Sequence, residues 1–195
     1  MAHRLVDGRG WQPYPFQQFI LKVHGWCNLS CDYCYVYEMA DRLWRDRPRG
    51  MPAATVEQTA RRIGEHVGTH DLPAVNVVLH GGEPLLAGLD GIAHAVDAVR
   101  RAVPTEVDLT FRMQTNGTLL TDKMLDRMRD LEVRVGISLD GNRRGNGHRR
   151  WIDSSCETNR SKIPLMLRIL SQPTPSPRQA GALEAAACGH ESPTI

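Results

Sequence analysis

Three cysteines lie in one short run, Cys-Asn-Leu-Ser-Cys-Asp-Tyr-Cys, at positions Cys27, Cys31 and Cys34. Thiolates at this spacing can hold one iron–sulfur cluster, which normally takes four cysteines. With three protein ligands, one iron of the cluster keeps an open position where a small molecule can bind and react. The spacing therefore predicts an enzyme rather than a passive electron carrier.

The composition is that of an ordinary globular domain. The chain has 195 residues, of which 41% are hydrophobic and 24% charged, and its net charge is +2. We expect neither a nucleic-acid nor a membrane partner, because the charge is near neutral and no stretch reaches the roughly 18 apolar residues of a membrane span. The first ten residues carry charges where a signal peptide needs apolar ones, which predicts a cytoplasmic protein. In that compartment, clustered cysteines bind metal or do redox chemistry more often than they form disulfides.

Apolar, β-branched segments alternate with segments of helical period. The predicted strands are 16–23, 74–79, 107–113 and 133–139. Apolar positions recur every three or four residues over 56–67, 89–99 and 124–131, and Thr121 is a suitable N-cap for the third of these helices. This order predicts an α/β fold with a parallel sheet covered by helices, containing about four βα units.

Polar or glycine-rich residues follow each predicted strand. These segments are 27–34, 81–84, 115–117 and 138–141. The carboxyl ends of parallel strands meet at one edge, where α/β sheets and barrels place their sites. We therefore expect the four segments to form one site.

The C-x3-C-x2-C run, with the aromatic Tyr33 before its last cysteine, resembles the signature of the radical S-adenosylmethionine (radical SAM) enzymes. The resemblance implies a partial (β/α) barrel and a [4Fe–4S] cluster held by the three thiolates. It also implies reductive cleavage of S-adenosylmethionine (SAM) to a 5′-deoxyadenosyl radical. No catalytic acid or base is predicted, because the radical itself abstracts hydrogen from the substrate.

The run Gly81-Gly82-Glu83-Pro84 resembles the second signature of that family. The resemblance implies that this segment faces the methionine amino group of SAM, with Glu83 as the acidic partner. Glycines there would let the backbone approach the ligand closely and would allow positive φ. The alternative is an ordinary turn.

Further cosubstrate contacts are predicted at the third and fourth strand ends. These ends resemble those of family members that modify peptides or proteins, which implies that Asn116, Ser138 and, more weakly, Asp140 contact the ribose and methionine carboxylate of SAM. Arg149 or Arg150 could also reach the carboxylate. The alternative is turn chemistry, since Asn-Gly and Asp-Gly are common turn formers.

Segment 34–48 resembles maturases that cross-link small ribosomal peptides, especially those paired with precursors ending in Phe-x-Ser-x-x. The resemblance implies a small ribosomal precursor peptide and an electron donor as partners. Tyr35, Tyr37 and Trp44 would then line the substrate side, or else pack in the core.

The resemblance covers residues 16–150, with 1–15 as a lead-in and 151–195 as a poorly structured tail. Members of this family usually have six βα units, and peptide-modifying members add a cysteine-rich SPASM domain. Here we predict about four units, with Cys156 and Cys188 as incidental thiols. We therefore hypothesise a truncated or frame-shifted member, in which the outer edge of the fourth strand stays unpaired.

Two alternatives to an active enzyme remain open. The first is an inactive fragment that binds only the cluster and SAM. The second is a zinc-stabilised interaction module in which His24 supplies the fourth ligand, because a structural zinc site takes four.

Overall fold

The computed structural model describes residues 14–140, 148–151 and 184–187. The two outlying cysteines, Cys156 and Cys188, lie outside these ranges. The division into a lead-in (1–15), a core (16–150) and a tail (151–195) stays a prediction.

The described chain forms seven strands and three α-helices. In chain order they are β1 (Gln18–His24), β2 (Leu29–Cys31), α1 (Ala53–Thr69), β3 (Ala74–Gly81), α2 (Gly88–Ala102), β4 (Asp108–Thr115), α3 (Asp122–Asp130), β5 (Val133–Leu139), β6 (Arg149–Trp151) and β7 (Glu184–Ala187). Short 3₁₀ turns at Leu43–Asp46 and Pro84–Ala87 follow β2 and β3.

The main sheet has five strands in the order β1-β3-β4-β5-β7, and all of its pairs are parallel. The four predicted strands and three predicted helices are therefore confirmed, with strand ends shifted by up to two residues. The fold class, a parallel α/β partial barrel, is also confirmed. Three βα units and two further parallel strands lie within the described residues.

The helices pack on one face of this sheet. Helix α1 buries Val56, Ala60, Ile63 and Val67, the predicted stripe. The N-terminus of α3 is capped as predicted, because the hydroxyl of Thr121 accepts a hydrogen bond from the Met124 amide at 3.2 Å.

Side chains alternate between the two faces of each strand. Those facing the helices are apolar and buried, as Val77 and Leu79 of β3 and Phe111 and Met113 of β4 show. The opposite face, which would form the barrel interior, is more polar. It carries Lys22, His80, Arg112, Gln114, Arg134 and Ser138.

Three of the seven strands were not expected from the sequence. Strand β7 pairs with β5 through Gly136–Leu139, so the expectation that the outer edge of the fourth strand is unpaired is wrong. The Glu-Ala-Ala-Ala sequence of β7 lacks the β-branched residues that indicate a strand. Pairing with β5 satisfies backbone groups that an open edge of the sheet would leave exposed. Strands β2 and β6 form a short antiparallel pair that is too short for a periodic signal.

No helix within the described part of the chain is long and apolar enough to cross a membrane.

Candidate cofactor-binding site

The three cysteines lie on the loop that leaves β1 at the carboxyl edge of the sheet. All three are partly exposed, and no disulfide joins them to one another. The amide of Cys34 donates to the carbonyl of Cys31 at 2.9 Å, and the amide of Glu38 donates to the carbonyl of Cys34 at 3.0 Å. These bonds make a tight turn, and β2, which contains Cys31, pairs with β6.

Gly81 and Gly82 bring β3 against this loop. A methyl group on Gly81 would collide with the carbonyl of His24, and one on Gly82 would collide with the Trp26 carbonyl and the Tyr37 hydroxyl. The amide of Gly82 donates to the His24 carbonyl at 3.0 Å. The small residues therefore let the backbone of β3 approach the cysteine loop.

Gly81 and Gly82 do not use the positive φ that glycine would allow there. Among the described glycines, positive φ occurs at Gly88 and Gly117 instead.

Glu83 is fully buried, with 0% of its surface exposed. Its Oε1 accepts from the Leu85 amide at 3.0 Å and from the Thr115 hydroxyl at 2.7 Å, and its Oε2 accepts from the Asn116 amide at 2.8 Å. Burial raises the pKa of Glu83 above its ordinary value, against the lowering effect of these hydrogen bonds. The carboxylate thus ties the end of β3 to the end of β4.

Asn116 connects the end of β4 to the cysteine loop. Its Nδ2 donates to Asn28 Oδ1 at 2.9 Å, and its Oδ1 accepts from the amide and hydroxyl of Thr118 at 2.9 and 2.6 Å. Asn28 in turn donates to the Thr118 hydroxyl at 2.8 Å. We call Asn28, Glu83, Thr115, Asn116 and Thr118 the buried junction.

Cys27 lies directly on this junction. Its Sγ accepts hydrogen bonds from the Leu29 amide at 3.4 Å and from Asn116 Nδ2 at 3.7 Å. Burial is the main cause that raises the pKa of the Cys27 thiol, and the negative charges of Glu83 and Cys34 add to it. The N–H donors act in the opposite sense, because they favour the thiolate that a metal needs.

The remaining predicted contacts lie at a more open part of the same edge. Ser138 Oγ accepts from Gln114 Nε2 at 2.8 Å, and the hydroxyl of Tyr33 donates to Asp140. Tyr33 is 50% exposed. We call Tyr33, Gln114, Ser138 and Asp140 the open rim.

The edge therefore joins the cysteine loop to three strand ends, and comparison with known proteins identifies this arrangement. The Radical SAM superfamily pattern matches residues 21–161. The chain belongs to the Radical SAM superfamily.

Curated relatives include serine-type anaerobic sulfatase-maturating enzymes. The one from Klebsiella aerogenes is 34% identical over 132 residues, which are 67% of this chain and 31% of the relative. The one from Bacteroides thetaiotaomicron is 33% identical over 128 residues, covering 65% of this chain and 30% of the relative. The chain thus spans about a third of the length of these relatives.

Solved structures of a sulfatase-maturating enzyme share the fold. A histidine-tagged anSMEcpe with bound AdoMet, which is SAM, superposes with a TM-score of 0.69 at 20% identity, over 89% of this chain and 43% of that one. Native anSMEcpe with bound AdoMet and Cp18Cys peptide gives a TM-score of 0.61 at 23% identity, over 76% and 38% of the two chains. These likenesses confirm the partial barrel.

Radical SAM proteins use a [4Fe–4S] cluster and SAM, and the donor set of this chain fits the cluster. Cys27, Cys31 and Cys34 all lie on the one loop that follows β1, and iron–sulfur clusters are held by cysteine thiolates. Among the described side chains, no group of three His, Cys, Asp or Glu residues is placed to hold a single metal ion.

The His24 ring contacts the backbone at the start of the cysteine loop through its Nδ1. Its Nδ1 lies 3.3 Å from the Trp26 amide, from which it accepts a hydrogen bond, and 3.1 Å from the Trp26 carbonyl. The ring thus supports the start of the cysteine loop.

The three aromatic residues predicted on the substrate side divide between two environments. Tyr37 and Trp44 pack edge-to-face with ring centroids 4.9 Å apart, and Trp26 packs on Trp44 at 5.1 Å. Tyr37 is buried and donates to the Gly25 carbonyl at 2.8 Å, and burial raises the pKa of its hydroxyl. Tyr35 is 77% exposed, whereas Trp44 is only partly exposed, so Tyr35 is the most open to solvent of the three predicted residues.

Several residues of this candidate site were not singled out from the sequence. They are Trp26, Asn28, Gln114, Thr115 and Thr118. Most are immediate neighbours of predicted residues, so their positions near the site could be predicted. Their hydrogen bonds could not, because residue spacing does not show that a carboxylate at the end of β3 will meet a hydroxyl at the end of β4. The side chains of Arg149 and Arg150 lie outside what the structure describes.

Proposed function

We propose that this protein binds a [4Fe–4S] cluster through Cys27, Cys31 and Cys34 and cleaves SAM to modify a peptide. The observation that carries the proposal is the junction between the cysteine loop and two strand ends. One buried carboxylate, Glu83, fixes β3 to β4, and Asn116 fixes β4 to the loop that bears Cys27. A cluster on that loop would therefore have a fixed position relative to the edge of the sheet.

The protein's own groups prepare Cys27 for ligation. Burial raises the pKa of its thiol, so the free thiol holds its proton, and cluster binding must release that proton. The Leu29 amide and the Asn116 side-chain amide donate toward the sulfur, which stabilises the thiolate once it forms. When bound, the cluster and SAM together supply the electron and the 5′-deoxyadenosyl radical.

SAM would lie between the cysteine loop and the open rim. Ser138 and Asp140 carry oxygen atoms suited to hydroxyl and amine groups, and Tyr33 lies beside Asp140. Gly81 to Pro84 would contribute backbone groups, because the carboxylate of Glu83 already accepts three hydrogen bonds. Asn116 would act mainly through Cys27 and Asn28.

A peptide is the substrate class that the relatives support. They are described as anaerobic sulfatase-maturating enzymes, and one similar structure holds a Cp18Cys peptide. On the residues of segment 34–48, we propose the finer assignment of cross-linking in a small ribosomal precursor of the Phe-x-Ser-x-x type, with a separate electron donor. Clustered cysteines support a reducing, cytoplasmic location.

The test is anaerobic reconstitution of the 195-residue chain with iron and sulfide. We expect about four irons and four sulfides per chain, and 5′-deoxyadenosine after SAM and a reductant are added. Cys31→Ala should lose both iron and product. Cys156→Ala, a cysteine outside the run, serves as the matched control and should retain both.

Two outcomes would favour the alternatives. One zinc per chain, without iron or sulfide, would favour the zinc-stabilised module. Full cluster and SAM binding without 5′-deoxyadenosine would favour the inactive fragment.

A further inference from the structure

A pocket of about 200 Å³ lies beside the end of β1, and none of the three cysteines or the open-rim residues lines it. Lys22 and Gly25 form one side, and the other walls belong to the segment from Trp44 to Pro52. This segment is fastened to the strand. The Met51 amide donates to the Val23 carbonyl at 3.0 Å, and the Gly25 amide donates to the Arg49 carbonyl at 2.5 Å.

The pocket is cationic. Lys22, Arg47 and Arg49 line it, and none of its lining residues is acidic. Among the described residues, no carboxylate forms an ion pair with these three cations. Arg49 is positioned by Trp26, since its guanidinium lies 4.3 Å from the ring centroid. Three cations held around one small cavity favour an anionic ligand.

The remaining walls are apolar and pre-formed. Trp44, Met51 and Pro52 supply them, and Trp44 is held by its edge-to-face contacts with Trp26 and Tyr37. The indole Nε1 of Trp44 is buried without a hydrogen-bond acceptor in the described structure. An unpaired buried donor is unfavourable, so a ligand oxygen that reached it would be stabilised.

We propose that this pocket binds a peptide segment in which acidic side chains flank an apolar one. The cations would hold the carboxylates, and the apolar side chain would lie against Trp44 and Met51. The small volume and apolar walls fit a peptide side chain better than a nucleic-acid backbone. Such a site would recognise a part of the substrate other than the reacting carbon. That part of the inference rests on the proposed function, whereas binding itself can be measured without turnover.

The experiment uses the reconstituted full chain and fluorescein-labelled heptapeptides with acetylated and amidated ends. A Glu-Leu-Glu peptide should bind about tenfold more tightly than its Gln-Leu-Gln counterpart in fluorescence polarisation. Rising salt should weaken the binding of the Glu-Leu-Glu peptide and leave the binding of the Gln-Leu-Gln peptide nearly unchanged. Replacing the central leucine by serine should also weaken binding, because the apolar wall loses its partner.

Two variants localise the binding. Lys22→Gln and Arg47→Gln should each lower the affinity for the Glu-Leu-Glu peptide several-fold. Arg49 is left intact because it stacks on Trp26. Arg61→Gln is the matched control, since it removes the same charge from the solvent face of α1, where Arg61 lies 3.7 Å from Glu65. Far-UV circular dichroism of each variant checks that the fold is retained.

Three results would overturn the inference. They are equal affinity for the Glu and Gln peptides, equal weakening by Arg61→Gln, and displacement of the peptide by a short oligothymidylate of the same charge. Tight binding of a Gln-Leu-Gln peptide only when its C-terminus is a free carboxylate would also contradict it. A chain that binds the acidic peptide but makes no 5′-deoxyadenosine would refute the proposed function and leave this pocket standing.

Discussion

The buried junction and the open rim occupy the same edge of the sheet, yet they use their polar groups differently. In the junction, the Glu83 carboxylate accepts three hydrogen bonds from its neighbours, and Asn116 is only 8% exposed. In the rim, Ser138 Oγ accepts from Gln114, the Tyr33 hydroxyl donates to Asp140, and Tyr33 is half exposed. We therefore propose that the junction positions the cysteine loop and that the rim contacts the cosubstrate.

The largest effect is expected at Glu83, in the buried junction. Glu83→Ala should lower the free energy of unfolding by about 4 kcal/mol, because it leaves three buried donors unpaired and opens a cavity. Chemical denaturation measures the change. Glu106→Ala, a substitution at an exposed carboxylate, is the control and should stay within about 0.5 kcal/mol of the parent. A loss below about 1 kcal/mol at Glu83 would show that the junction does not hold the edge together.

Gly82→Ala should have the next largest effect. The added methyl would collide with the Trp26 backbone and the Tyr37 hydroxyl, so β3 and the cysteine loop must separate, at about 2 kcal/mol. Gly68→Ala is the matched control, because nothing lies near its added methyl and alanine favours the helix there. Thermal unfolding should move down for the first variant and slightly up for the second. If the unfolding temperature shifted in the same direction for both variants, β3 and the cysteine loop could not be packed as closely as described.

Thr118→Val tests whether the junction supports the cluster. The variant keeps the shape but loses the hydroxyl that donates to Asn116 and accepts from Asn28. We expect a loss of about 1–2 kcal/mol in stability and faster loss of iron on exposure to a chelator. Thr105→Val, at an exposed turn, should change neither quantity. Normal iron retention in Thr118→Val would mean that the junction stabilises the fold but does not support the cluster.

Ser138→Ala should show the opposite pattern at the rim. Among the described residues, the bond that is lost is the one from Gln114 at 2.8 Å, and Ser138 is partly exposed, so the stability should fall by no more than about 1 kcal/mol. SAM affinity, measured by equilibrium dialysis on the reconstituted chain, should fall several-fold. Should Thr118→Val lower SAM affinity more than Ser138→Ala does, the assignment of roles would be reversed.

The sequence predicts the sheet well because apolar alternation and helical period both act within single elements. Val133–Leu139 was predicted at its observed bounds, and the Thr121 cap was predicted from its residue type. Strand β7 was not, because Glu184–Ala187 has no β-branched residue and owes its conformation to pairing with β5. Long-range pairing of this kind is a property of the fold rather than of the segment.

The candidate site shows the same limit. Spacing places Cys27, Glu83 and Asn116 at one edge, and the structure confirms that they meet. Spacing cannot distinguish a carboxylate that awaits a ligand from one that is satisfied by Thr115 and two amides, since both read as Glu in a glycine-rich turn. Burial decides the matter, and burial depends on how closely β3 and the cysteine loop pack.

The smallest effect concerns His80, on the polar face of the sheet below the rim. Although His80 is an exposed residue, partial desolvation, with a smaller contribution from the positive charge of Lys22, lowers the pKa of His80 below its ordinary value of 6.5. The folded chain therefore binds this proton less readily than the unfolded chain does. Stability should rise with pH over the interval between the folded pKa and 6.5, and should be level above it.

His80→Gln should flatten that slope in denaturation midpoints measured at about pH 5.5 and 7.5. Lys22→Gln should flatten it partly, because the pKa of His80 moves back toward its ordinary value, whereas Lys123→Gln on α3 should leave it unchanged. A slope untouched by either His80→Gln or Lys22→Gln would mean that the two groups do not interact across β1 and β3. The polar face of the sheet would then be as well solvated as the open rim. The difference between buried and open polar groups would be limited to the carboxyl ends of the strands.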